Sequence, residues 1–308
     1  MKPKFEITIL GSSSALPTSR RNTTAQVLNH AERFFLIDCG EGAQIQMRRF
    51  KLKMQRIDRI FISHLHGDHI FGLPGIINTF NLLGRYKELH IYAPKQLEDF
   101  LNAINTYIFT RLNYPITFHY LNPEGKDLIY ENKLLKVFSF PVSHRIETWG
   151  FSFEEKQQPR KLIKEIIEKL SVPIPWRIRL KNGEDYVDEN GNVFPNEDLT
   201  TPPPEPRKYV FVTDTEYLPG IKTYFEGSVN LLYHEATFLE SEIERAAETK
   251  HSTAKQAAQI ATLLNAKKLL LGHFSTRYKD IKPFAEEAKQ AFSGEIELVE
   301  DGKTYAVE

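Results

Sequence analysis

The sequence contains a single cysteine, Cys39, so no disulfide can close within the chain. It carries no net charge, because 40 lysines and arginines balance 40 aspartates and glutamates. A balanced chain exerts no overall pull on a polyanion, and any nucleic-acid binding must come from local patches. Residues Met1–Gly11 form a charged lead and a short strand-like run. That is the form of neither a secretion signal nor a transmembrane helix, so the expectation is a cytoplasmic protein with no membrane partner. No repeat of fixed period is present. What is present is 308 residues at 41% hydrophobic composition, enough to bury a large core.

Short apolar strands alternate with helical stretches along the whole chain. Lys4–Leu10, Ala25–Leu28, Arg33–Ile37, Ile57–Ser63, Leu89–Ala93, Ile116–Tyr120 and Leu134–Pro141 read as strands, and Ala43–Arg49 as a helix. In the second half Tyr209–Thr213, Val229–Tyr233, Lys267–Leu271 and Glu295–Glu300 read as strands. Thr253–Leu264 is an amphipathic helix with Ser252 or Thr253 suited to its N-cap, and Lys282–Phe292 is another helix. The alternation predicts a layered α/β fold in one domain over 1–308.

The stretch 156–206 differs in composition. Lys156–Lys181 holds eight basic residues against two acidic ones, and Asn182–Pro206 holds seven acidic residues and no basic one. Pro202-Pro203-Pro204 excludes helix and central strand there. The segment reads as an arm inserted into the domain, with a helix-like run from Arg160 to Leu170 that spreads Lys161, Lys164 and Lys169 over adjoining faces. Such a surface suits phosphate contacts, which give affinity rather than sequence readout. A second basic cluster, Arg48, Arg49, Lys51, Lys53, Arg56 and Arg59, is expected beside the approach to the site.

The strongest chemical signal is His64-Leu65-His66-Gly67-Asp68-His69, directly after an apolar strand. The strand fixes the backbone, and the loop beyond it can aim several side chains at one point. The spacing of His64 and His66 lets two imidazoles converge on one metal, while Asp68 and His69 face a second. Burying these groups without a metal would leave polar atoms unpaired. Further ligands must come from elsewhere, and His144, Asp214 and His273 each stand just past an apolar strand. His234, His30, His90 and His119 have no such context and read as structural or exposed.

This order of motifs resembles the metallo-β-lactamase superfamily, whose pattern spans nearly the whole chain, as it does here. The resemblance implies an αββα sandwich with a projecting arm. It also implies that His64, His66 and His144 hold one zinc, that Asp68, His69 and His273 hold the other, and that Asp214 bridges them. Asp38 resembles the family's early aspartate, which supports the site from behind. Within the superfamily the chain is similar to the ribonuclease Z family. The shared marks are Pro17-Thr18-Ser19-Arg20-Arg21-Asn22, His234-Glu235-Ala236-Thr237, His251-Ser252-Thr253 and Gly272–Tyr278. Leu170–Trp176 departs from the Gly/Pro-rich stretch of that family's arm, and Val212-Thr213-Asp214-Thr215 stands where Ser-Gly-Asp-Thr is common.

The activity this implies is endonucleolytic removal of the 3′ trailer from precursor tRNA, leaving a 3′-hydroxyl on the tRNA, by a homodimer whose arm serves the partner's site. Two zinc ions would acidify a water, Asp68 would take its proton, and His251, set by Glu235, would protonate the leaving oxygen. Mn²⁺ or Fe would tolerate the same ligands. Two competing readings remain: a relative acting on a small diester or another nucleic acid, and a nucleic-acid binder with a structural zinc. Seven ligand candidates argue against the latter, since a structural zinc site closes with four.

Overall fold

The computed structural model describes residues 3–108 and 111–308, so Met1 and Lys2 of the charged lead lie outside the described residues. Stretches rich in β-branched and aromatic residues become strands β1 (Phe5–Gly11), β2 (Ala25–His30), β3 (Arg33–Cys39), β4 (Ile57–Phe61), β5 (Leu89–Ala93), β6 (Ile116–Tyr120), β7 (Asp127–Glu131), β8 (Leu135–Val142) and β9 (Thr148–Glu155). Four two-residue strands follow, β10 (Lys161–Leu162), β11 (Tyr186–Val187), β12 (Val193–Phe194) and β13 (Thr200–Thr201). Then come β14 (Lys208–Val212), β15 (Val229–Glu235), β16 (Ala266–Gly272), β17 (Glu295–Leu298) and β18 (Thr304–Ala306). The helices are α1 (Ala43–Arg49), α2 (Gly67–Ile70), α3 (Leu73–Leu82), α4 (Gln96–Ile108), α5 (Lys164–Lys169), α6 (Ile174–Lys181), α7 (Asn196–Leu199), α8 (Ile243–Thr249), α9 (Ala254–Leu263) and α10 (Lys282–Ala288). Among the described residues no helix is long and apolar enough to cross a membrane.

Two seven-stranded sheets result, in the orders β18-β1-β2-β3-β4-β5-β6 and β17-β16-β15-β14-β9-β8-β7. Each is antiparallel in one half and parallel in the other. β3 to β6 run parallel in the first sheet, and β14 to β17 in the second. Parallel neighbours need crossovers, and these bring the helices onto the outer faces. The sheets pack through Phe35, Phe61, Phe151, Phe153 and Tyr209, with Phe61 5.5 Å from Phe151 and 5.4 Å from Phe153 between ring centres. A separate cluster, with Met47, Leu73, Ile76, Phe80 and Leu97, seals α1, α3 and α4 onto the outside of the first sheet. On the second sheet, α9 lays Ala254, Ala257, Ala258 and Ala261 against β15 and β16. Thr253 rather than Ser252 caps it: its hydroxyl accepts from Gln256 N while the Gln256 side chain accepts from Thr253 N.

The stretch 156–206 leaves the end of β9 and returns at β14. It builds its own small cluster from Ile167, Val172, Leu180, Tyr186 and Leu199. The helix expected from Arg160 to Leu170 is shorter than that. Lys161 and Leu162 pair with Thr201 and Thr200 as β10–β13, and helix α5 starts only at Lys164. The cross-strand pairing at the neck outweighs the helical tendency of the following residues. The closing helix likewise ends at Ala288, not Phe292.

Candidate metal centre

The site lies at the carboxyl ends of β4, β14, β15 and β16, joined by the turn between β8 and β9. That is where loops of parallel sheets can converge on a ligand. The backbone is bent sharply at these ends. Asp38, Asp214 and His273 adopt the left-handed region with φ of 53°, 47° and 59°. This conformation is strained for non-glycine residues, and here it turns each side chain inward at the end of β3 or just past β14 and β16.

All seven expected ligands are brought together. One group of nitrogen and oxygen atoms within 4.8 Å of one another comes from His64, His66, His144 and Asp214, and a second from Asp68, His69 and His273. Asp214 faces both groups. Its Oδ1 lies 3.7 Å from His64 Nε2 and 3.9 Å from His144 Nε2. Its Oδ2 lies 3.3 Å from His69 Nε2 and 3.4 Å from His273 Nε2.

The far sides of the His69, His144, His273 and His64 rings are spoken for. Asp38 accepts from Ser63 N at 2.7 Å, from Ser63 Oγ at 2.8 Å and from His69 Nδ1 at 2.7 Å. His144 Nδ1 donates to the Lys250 carbonyl at 2.9 Å. Thr237 Oγ1 gives its proton to Glu235 at 2.6 Å and so accepts from His273 Nδ1 at 3.0 Å. Ser63 Oγ, having donated to Asp38, accepts from His64 Nδ1 at 3.0 Å. These bonds fix tautomers with the other nitrogen aimed inward, as partners behind metal ligands do. Among the described residues, Nε2 of His69, His144 and His273 are buried and have no hydrogen-bond partner. His64 Nε2 and His66 Nδ1 face each other at 3.0 Å. Buried orphan nitrogens and facing lone pairs are costly unless a cation sits between them, so this donor set fits divalent metal ions.

The electrostatics divide the histidines. Burial would lower His69, but the Asp214, Asp68 and Asp38 carboxylates outweigh it and hold His69 well above its ordinary range, a concentration of negative charge that suits a cation. Burial holds the His64, His66 and His144 imidazoles below their ordinary pKa, which keeps them neutral. Burial would raise Asp214, but the neighbouring imidazoles, His273 and His69 foremost, pull it well below the usual carboxylate range. Asp68 is held low in the same manner by His69 and His273. Its Oδ2 also accepts from Ala15 N at 2.8 Å.

Glu235 and His251 form a pair beside this cluster. Glu235 is fully buried and accepts from Thr215 N, Thr237 N, Thr237 Oγ1 and His251 Nδ1, the last at 2.8 Å. Burial alone would depress His251, but the Glu235 carboxylate outweighs it and raises the imidazole to about 9. His251 also lies near Asp214 and His273, 4.0 Å from Asp214 Oδ1 through the same Nδ1 that binds Glu235. His234 is buried and bonded to the Glu235 carbonyl, away from the cluster.

A cleft of about 600 Å³ opens over these residues. Arg145, Arg245 and Arg277 stand in its wall together with Leu16, Pro17, Phe71 and Phe238. The second basic cluster expected at this approach is elsewhere. Lys53 and Arg56 pair with Glu32 at 3.0 and 2.9 Å, and Arg59 pairs with Asp58 at 2.8 Å and stacks over Tyr130. These residues lead into or begin β4, whereas the histidines follow its other end. The three arginines of the cleft were missed. Arg145 and Arg277 flank expected ligands in sequence, but nothing local marks Arg245.

Comparison with known proteins places these features in context. A family model described as Anti-Pycsar protein Apyc1 matches residues 5–105. Ribonuclease Z of Bacteroides fragilis is 47% identical over 293 residues, covering 95% of this chain and 96% of that protein. Ribonuclease Z of Parabacteroides distasonis is 44% identical over 303 residues, covering 98% and 99%. The crystal structure of human tRNase Z, short form, superposes with a TM-score of 0.69 at 28% identity over 98% of this chain and 99% of that one. The metallo-β-lactamase fold protein YhfI from Bacillus subtilis superposes with a TM-score of 0.70 at 16% identity over 99% of this chain and all of that one, so the two share a fold.

Proposed function

The chain belongs to the ribonuclease Z family, and from that premise we propose that its centre is a two-zinc site that cuts precursor tRNA at the end of the mature 3′ sequence and leaves a 3′-hydroxyl there. The protein is a metal-dependent phosphodiester hydrolase of tRNA 3′ processing. The observation that carries the dinuclear reading is Asp214, with one carboxylate oxygen toward each group of inward-facing imidazole nitrogens. His64, His66 and His144 would hold one ion, Asp68, His69 and His273 the other, and Asp214 both. An imidazole-rich set with carboxylates suits zinc. When bound, two such ions supply positive charge at the phosphoryl oxygens and acidify water toward a pKa of about 7.

The chain's own residues do the rest. Asp68, anchored through Oδ2 by the Ala15 amide, takes the proton of the attacking water. His251 donates a proton to the departing O3′ from Nε2, because its Nδ1 is committed to Glu235. Glu235 holds that ring in place and keeps it charged. Arg145, Arg245 and Arg277 give the neutral chain a local cationic surface for the RNA backbone.

The segment 156–206 is the arm, and the working unit is a cytoplasmic homodimer. The arm's neck adjoins Glu155 and Arg207, at the ends of β9 and β14 far from His144 and Asp214. Eight residues of strand place that neck about 25 Å from its own site, which suits service to a partner's site. Lys161, Lys164, Lys169, Arg179 and Lys181 are exposed on it. The test is incubation of the pure protein with a 3′-extended tRNA and with a small chromogenic diester, mapping the RNA ends. Cleavage at the mature end with a 3′-hydroxyl product is expected. Turnover of the diester without cleavage of the RNA would favour a small-diester enzyme.

A further inference from the structure

Phe71 is an exposed aromatic residue beside the ligand loop. It occupies the turn between α2 and α3, two residues after His69. The apolar residues around it, Ile70, Leu73, Ile76 and Ile77, are all buried in the first sheet's outer core. Phe71 is left out of that core, 62% exposed, in the wall of the cleft. One edge of its ring is nonetheless seated on the chain. A Cβ on Gly67 would meet three of its ring carbons at 2.3, 2.6 and 2.8 Å, so the ring lies directly against the Gly67 backbone. Gly67 separates His66 from Asp68, one from each ligand group. Leu16, 63% exposed, lines the same cleft, on the loop that the Ala15 amide ties to Asp68.

We propose that Phe71 is a stacking platform for the base of the first trailer nucleotide, the one that carries the scissile phosphate away on its 5′ side. The proposal rests on the ribonuclease reading above. An exposed aromatic ring beside a phosphodiester site offers a π-face that any base accepts, so it positions RNA without reading sequence. The nucleotide is assigned by the two sides of the cleft. His251, which serves the departing O3′ of the tRNA, belongs to a loop of the second sheet, just ahead of α9. Phe71 belongs to the loop after β4 of the first sheet. With the tRNA's O3′ at His251, the nucleotide across the scissile phosphate is assigned to Phe71, the exposed ring that lines the same cleft from the other sheet's loop.

The experiment compares wild type and Phe71→Ala on a precursor tRNA, intact or with an abasic residue at the first trailer position. Phe71→Ala is expected to lower kcat/KM on the intact RNA by about tenfold, within the range that loss of a stacked base produces. Wild type should lose a similar factor on the abasic RNA, the two losses should not multiply, and Phe71→Trp should restore activity. An unimpaired Phe71→Ala protein overturns the proposal, and so do losses that multiply in full. An abasic residue at the last tRNA position that erases the Phe71 effect overturns the assigned nucleotide. A change of oligomeric state in Phe71→Ala, measured by light scattering, makes the residue a subunit contact instead. A binding measurement separates this inference from the activity on which it rests. A trailer oligonucleotide with 2-aminopurine at its 5′ end should be quenched by wild type and much less by Phe71→Ala. That difference without tRNA cleavage sinks the ribonuclease reading alone; its absence sinks the stacking.

Discussion

A histidine that spends Nδ1 on a carboxylate has one nitrogen left for chemistry, and His251 is in that position 2.8 Å from Glu235. His251→Ala should keep both metals yet lose on the order of 10²–10⁴ in kcat on RNA, the usual range for an acid–base group. A diester with a nitrophenolate leaving group needs no acid and should suffer far less. Equal losses on both substrates, or loss of metal, would make His251 a ligand or a structural residue. At this scale the sequence was most informative where a polar residue ends an apolar strand. His64, His144, Asp214 and His273 all stand there, because a strand end fixes a backbone before the chain turns. The groups that stayed hidden act through placement alone. The Ala15 amide reaches Asp68 across 53 positions, and Thr237 relays a hydrogen bond between His273 and Glu235. Neither residue type announces such a role.

Among the elements, the loop Ser12–Asn22 bears most directly on the cleft, and one carboxylate gathers its two ends. Asp301 accepts from Ser12 Oγ at 2.7 Å, Asn22 N at 2.7 Å, Asn22 Nδ2 at 3.1 Å and Gln46 Nε2 at 3.4 Å. Every partner is a donor, so the position demands a group that only accepts. Asp301→Asn would turn an amide NH₂ toward those donors. It should cost roughly 1–3 kcal/mol in urea unfolding, as a broken hydrogen-bond network does, and lower kcat/KM on RNA through the displaced loop. Wild-type stability and activity in that variant would mean the loop is held by other contacts. Most of the core strands and the position of the α9 cap, at Ser252 or Thr253, follow from patterns in the sequence. The start of the arm did not. Residues 161 and 162 are drawn into β10 by Thr200 and Thr201, some forty positions away, and no local pattern contains that partner.

For the molecule as a whole, the two sheets are clasped at the end opposite the metal cluster. Glu155 of β9 meets His30 of β2 at 2.9 Å, and Arg207 donates to both Glu155 oxygens through Nε and Nη2, with Nη2 also reaching the Pro3 carbonyl and Nη1 the Val307 carbonyl. Burial would raise Glu155, but hydrogen bonds from His30 and Arg207 lower it from 4.5 to about 2. A carboxylate whose folded pKa is depressed stabilises the fold above its unfolded pKa and loses that contribution as pH falls through the folded one. Wild-type stability should therefore decline between about pH 4.5 and 2, and Glu155→Gln should lack that part of the decline while being less stable at neutral pH. Urea midpoints measured across this range decide it, and parallel profiles for the two proteins would contradict the clasp. His30 illustrates what sequence leaves out at this scale: it read as a solitary histidine, and its partner lies 125 positions away in the other sheet.

The central claim is that seven side chains hold two metal ions that together cut precursor tRNA. It is tested most directly by stripping the protein with chelator, adding zinc in measured amounts and following cleavage of a 3′-extended tRNA. Activity should rise from nothing and level off at two equivalents per chain. A plateau at one equivalent, or cleavage by the stripped protein, would contradict the account.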